Sequence, residues 1–271
     1  MSNEIKEQIK NALILQKEIF GDVLFENTQS LTQILEELAS NSLTQPPPQP
    51  IKQEVAPNII STPNVVNEKP MKAKKKDTQW SGSKSIEELY NYIHNCENCA
   101  LSKTRNKLVF GTGNPEAKLM IIGEGPGADE DEQGLPFVGR AGKLLTDILK
   151  AINFSREEVF IANIVKCRPP GNRVPASEEM EECIPYLHKQ IELIKPKFIL
   201  CLGSTSGQAI LETKGTLGSM RQKTFEKFGA TVLVTYHPAA LLRNPNWKKD
   251  TWEDVKMLRT LYNQTFPGEN K

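Results

Sequence analysis

The sequence predicts an α/β protein: a three-layer α/β/α sandwich around a central four-stranded parallel sheet, preceded by an N-terminal helical extension and a disordered linker. Three observations lead there. Four short apolar runs recur after residue 84, helical stretches separate them, and a Pro- and Lys-rich tract divides them from the N-terminus. KLMIIGE (118–124) is continuously apolar, as a strand buried on both faces requires. VFIANIVKC (159–167), FILCLG (198–203) and ATVLVTYHP (230–238) repeat the pattern. Between them GRAGKLLTDILKAI (139–152) reads as a helix. Ser177 is placed to cap a second helix over 178–193, with acids in its first turn. A short helix is expected at 205–212 and a last one at 248–262.

Residues 1–43 form the extension. Ile5, Ile9 and Leu13, then Leu31, Ile34, Leu35 and Leu38, recur at helical spacing. Residues 44–84 contain QPPPQP and the cluster Lys72, Lys74, Lys75 and Lys76, a composition that cannot bury a core. The domain proper is then 85–271. Gln16-Lys17-Glu18-Ile19-Phe20 resembles the pentapeptide that docks on bacterial sliding clamps, so 1–43 is a candidate protein-docking module; a self-packing hairpin is the plainer alternative.

Composition narrows the class. No stretch approaches the roughly 20 apolar residues of a membrane helix, and MSNEIKEQIK lacks the build of a secretory signal, so the expectation is a cytoplasmic protein without a membrane partner. With 34 basic and 33 acidic residues, any nucleic-acid site must be a local basic patch. Five cysteines, an odd number, argue for metal binding or catalysis over a disulfide framework. Cys96 and Cys99 form a CxxC; Cys167 follows a strand and Cys183 lies on a helix. Such a 2+1+1 set suits zinc or an iron–sulfur cluster, and spacing alone does not separate them. Cys167 and Cys183 also fit ordinary buried thiols, and Cys201, mid-strand, is read as core.

Parallel sheets bind ligands at the carboxyl ends of their strands. Those ends here carry Gly123-Glu124-Gly125, Asn163, Gly203-Ser204 and His237-Pro238. Four ordered motifs, CENCALSKTR, GEGPGADEDEQGLPFVGRAG, NIVKCRPPGNR and HPAALLRNP, resemble the family 4 uracil-DNA glycosylases over about residues 88–262.

The resemblance implies hydrolysis of the N-glycosidic bond of deoxyuridine in DNA, with uracil-containing DNA as partner and a [4Fe–4S] cluster held by Cys96, Cys99, Cys167 and Cys183. It assigns base stacking to Phe137, which otherwise reads as a core plug. It assigns base reading to Asn163, which otherwise reads as a loop cap. A carboxamide can match the O4 and N3–H of uracil together. His237 is expected to stabilise charge on the departing base. Gly123 and Gly125 would contact uracil through backbone atoms. Relatives in the wider superfamily carry an aspartate where this chain has Gly125, so the expected water-positioning residue is Glu124, with Asp129, Glu130 and Asp131 behind it. Leu241 or Leu242 is expected to wedge into DNA, and Arg243, Arg168 and Arg173 to meet phosphates; the leucines fit a packed helix equally well. A relative that traps uracil-DNA through a histidine in an insertion is a rival reading, but QGLPFVGRAGKLL holds neither insertion nor histidine.

Overall fold

The structure, a computed structural model, describes residues Gln79–Gly268. The proposed extension 1–43 and nearly all of the linker 44–84 lie outside the described residues.

Continuous apolar runs become central strands because they can be buried on both faces. Four parallel strands form the middle of the sheet: β2 (Leu119–Gly123), β3 (Phe160–Asn163), β4 (Phe198–Leu202) and β6 (Ala230–Thr235). Met120 pairs with Phe160, Leu119 with Phe198, and Phe198 with Thr231. Two antiparallel edges extend the sheet: β1 (Thr112–Gly113) beside β3, and β5 (Phe225–Lys227) beside β6. The full order is β1-β3-β2-β4-β6-β5. The edges escaped the sequence reading because runs of two and three residues show no periodicity.

Eight α-helices lie among the described residues: α1 (Ile86–Ile93), α2 (Ala128–Gln133), α3 (Arg140–Ala151), α4 (Ser177–Ile194), α5 (Ser204–Leu211), α6 (Leu217–Met220), α7 (Pro238–Arg243) and α8 (Trp247–Thr265). None is long and apolar enough to cross a membrane. The expected start of α4 is shifted by one residue. Ala176, not Ser177, occupies the cap position, and Glu179 reaches back to accept the Ala176 N–H at 2.8 Å.

Side chains of a strand alternate between faces, so the sheet carries two cores. Met120 and Ile122 pack toward α1 and α4 through Leu89, Ile93, Leu187 and Ile191. Leu119 and Ile121 pack toward α3 and α8 through Leu145, Ile148, Val255 and Leu258. The three-layer architecture follows directly.

A buried ionic network braces the carboxyl end of β6. Asp254 on α8 accepts from Arg221 Nε at 2.7 Å and from Thr235 Oγ1 at 2.6 Å. Arg221 also donates to the Asp250 carbonyl and lies over the Tyr236 ring, which stacks on Trp247 with centroids 4.9 Å apart. Removing one partner of a buried pair strands the other charge, at a cost of ~3–5 kcal/mol. Asp254→Ala is therefore expected to lower the free energy of unfolding, read from urea titration, by ~3–5 kcal/mol; an unchanged value would show that the network contributes nothing.

Candidate active site and thiol pocket

Strands buried on both faces can present polar side chains only where they end. β2 ends on Gly123, β3 on Asn163, and β6 runs into His237. In register, Gly123 lies opposite Asn163. A Cβ on Gly123 would collide with Asn163 Oδ1 and come within 2.6 Å of Phe137 Cζ. The Phe137 ring in turn lies 5.5 Å from the His237 ring, centroid to centroid, tilted by 34°. The four residues therefore form one cluster at the carboxyl end of the sheet.

Within it Asn163 is almost wholly buried, and its Oδ1 has no hydrogen-bond partner. An unsatisfied buried amide oxygen costs ~1–3 kcal/mol, so the fold tolerates a penalty that an N–H donor would relieve.

His237 is the cap residue of α7. Its Nδ1 accepts the Ala239 N–H at 3.2 Å. That hydrogen bond assigns the ring proton to Nε2, the remaining donor. Burial, with Arg243 nearby adding to it, pushes the imidazole down to about 4, so the ring is neutral at pH 7. Gly203, at φ 93°, leaves room beside it: a Cβ there would meet His237 Cβ at 3.2 Å.

Phe137 is buried and adopts φ 54°, the left-handed region that costs a non-glycine residue ~1–2 kcal/mol. Glu124 follows Gly123, is partly exposed, and its carbonyl accepts the Val165 N–H at 3.1 Å. Gly125 is close to Val165: an added Cβ would lie 2.8 Å from Val165 Cγ2.

The acids after the glycine loop are largely committed. Glu130 accepts from the backbone N–H groups of Gly127, Val138 and Gly139 at 3.0, 2.9 and 3.0 Å. Asp131 is buried and accepts from Asn106 N and Nδ2, each at 2.9 Å. Both carboxylates are thus engaged by N–H donors of the protein, and Asp129 remains exposed.

The leucine pair is separated by its helix. Leu241 is 0% exposed and packs in the core, so it has no surface to offer DNA; Leu242 is 40% exposed. Arg243 is exposed. Arg168 Nε donates to Asn172 Oδ1, and Arg173 is held by two bonds to Glu179 at 2.8 and 2.7 Å. Arg173 is thus paired with Glu179, and its side chain stays 47% exposed.

On the other side of β3 a second pocket gathers all four expected cysteines: Cys96, Cys99, Cys167 and Cys183 line it together with Arg105 and Tyr186. Arg105 Nη1 donates to Cys167 Sγ, and the Lys166 N–H donates to Cys183 Sγ, both at 3.2 Å. Burial raises the thiols of Cys99 and Cys167 and pushes Cys183 up to about 12, so all three are protonated thiols when no metal is bound. Among the described residues no group of three or more such side chains closes on a single metal ion. Cys201 is buried within β4, away from this pocket, as the sequence implied.

The family model of the uracil DNA glycosylase superfamily matches residues 110–259. The chain belongs to the uracil-DNA glycosylase superfamily. A type-4 uracil-DNA glycosylase of Pyrobaculum aerophilum is 45% identical over 180 residues, covering 64% of this chain and 92% of that protein. Those of Sulfurisphaera tokodaii and Archaeoglobus fulgidus are 43% and 40% identical, covering 65% and 68% of this chain and 84% and 96% of theirs. The superfamily match holds every residue of the strand-end cluster but begins beyond Cys96 and Cys99.

Sequence reasoning passed over Arg105, Arg156 and Gln190, and it grouped Lys166 with Arg168 and Arg173 as a basic cluster around Cys167 facing DNA, which the burial of Lys166 corrects. Lys166 is fully buried, and its Nζ donates to the Asn163 carbonyl at 3.0 Å and to Gln190 Oε1 at 2.6 Å; Gln190 passes the chain on to the Phe110 carbonyl. A charged residue inside the apolar NIVKC run was the one available signal.

Proposed function

We propose that this chain removes uracil from DNA by hydrolysing the N-glycosidic bond of a flipped deoxyuridine. The observation that carries the reading is the unpartnered, buried Oδ1 of Asn163, set against an aromatic ring and a neutral imidazole.

A base inside a duplex is stacked and paired, so it must leave the helix before it can be read. Phe137 offers the face on which it stacks. Asn163 Oδ1 accepts the N3–H of uracil while its amide N–H donates to O4. Cytosine presents the reverse pattern and would leave both partners unsatisfied. As the glycosidic bond breaks, negative charge builds on the ring, and His237 donates from Nε2 to O2. A neutral donor suits this step because it needs no proton from solvent and is already oriented by the Ala239 N–H. Gly123 and Gly125 let backbone approach the base, and Glu124 positions the attacking water. Leu242 alone fills the gap the base leaves, with Arg243 and Arg168 as phosphate contacts.

Cys96, Cys99, Cys167 and Cys183 would hold a [4Fe–4S] cluster. Four thiols around one pocket, with N–H donors already aimed at two sulfurs, fit that group. When bound, such a cluster would supply iron–thiolate cross-links between the CxxC segment, the loop after β3 and α4.

Release of uracil from a uracil-containing oligonucleotide, with thymine and hypoxanthine controls, tests the reading. His237→Ala should lower turnover by ~10²–10³ while DNA affinity stays near wild type; equal losses in both would remove it from chemistry. The rate should also stay level as pH falls through 6.5, where an ordinary imidazole gains its proton, and decline only toward about 4. Asn163→Asp should admit cytosine, read as cytosine released from an unmodified oligonucleotide; unchanged selectivity would assign the reading elsewhere. The purified protein should be brown and contain iron, and Cys183→Ser should bleach it. Stoichiometric zinc in a colourless protein would exclude the cluster.

A further inference from the structure

Phe137 stands in a conformation its residue type disfavours, and the structure shows what keeps it there. The peptide between Phe137 and Val138 is gripped at both ends. Arg156 Nη1 donates to the Phe137 carbonyl at 3.1 Å, and Glu130 Oε1 accepts the Val138 N–H at 2.9 Å. The flanking peptides are held by the same pair: Arg156 Nη2 donates to the Pro136 carbonyl at 2.9 Å, and Glu130 Oε1 accepts the Gly139 N–H at 3.0 Å. Glu130 Oε2 also accepts the Gly127 N–H at 3.0 Å, which ties the clamp to the glycine loop after β2. Arg156 is anchored a second time, to Thr146 Oγ1 on α3. Gly142 on α3 completes the seat, because a Cβ there would collide with the Phe137 carbonyl.

We infer that Glu130 and Arg156 are positioning residues for the stacking face: they fix the left-handed turn from which Phe137 projects beside Asn163 and His237. A guanidinium on the carbonyl and a carboxylate on the N–H of one peptide set its plane. That plane fixes ψ at Phe137 and therefore the direction in which the ring leaves the backbone. Without the clamp the residue relaxes toward ordinary negative φ and the ring leaves the cluster. Neither side chain touches the base; both act through Phe137.

This inference rests on the proposed excision of uracil. In the full chain, Arg156→Ala and Glu130→Ala are each expected to slow uracil release at least tenfold and to weaken inhibition by free uracil severalfold. Affinity for uracil-free duplex should not change. Arg156→Lys, which keeps the charge but loses the two-pronged donor, should recover only part of the rate. In a Phe137→Ala background the same substitutions should cost less than twofold, since a clamp has no effect once the ring it aims is gone. A full-sized loss in that background, or unaltered inhibition by free uracil, would overturn the clamp. The Arg156 variants keep the test decisive should Glu130→Ala unfold. Failure of the wild-type chain to release uracil would sink both readings; release by wild type with unchanged variants would sink the clamp alone.

Discussion

A strand buried on both faces has no room for a polar side chain along its length. β2 and β4 are buried at every position, and β3 is buried to its last residue. Polar chemistry is thereby confined to strand ends, where the register sets Gly123 against Asn163 and the chain of β6 delivers His237. The site is a consequence of the sheet: slip one strand by a residue and the amide would turn from one face to the other.

The cluster so formed is kept in a state of unmet demand. Asn163 Oδ1 has no donor, Phe137 holds a left-handed backbone, and burial keeps His237 neutral. Each is unfavourable in isolation, and each is held by surroundings that are fully satisfied. Lys166 fixes the Asn163 carbonyl, Glu130 and Arg156 fix the Phe137 peptide, and the Ala239 N–H fixes the imidazole. Strain and unpaired groups at the centre, with complete hydrogen bonding around them, are what preorganisation requires.

The thiol pocket and the strand-end cluster share one segment. Asn163 and Cys167 are four residues apart, and Lys166 between them donates from its side chain to the first residue's carbonyl and from its backbone to Cys183. A metal group bound by the thiols would therefore stiffen the loop that carries Asn163.

The sequence by itself determined the layer architecture, the four central strands, the set of four cysteines and the residues at the strand ends. These depend on apolar continuity, on residue type and on ordered motifs, all of which are local. It did not determine which of Leu241 and Leu242 faces outward, that Glu130 and Asp131 are engaged by N–H donors of the protein, or that Arg173 is paired. Nor did it reveal the edge strands, the buried Arg221–Asp254 pair or the grip on Phe137. Those were decided by tertiary structure alone, because burial and hydrogen bonding between residues distant in the chain depend on where the sheet and helices bring them together, and no spacing along the chain encodes that distance.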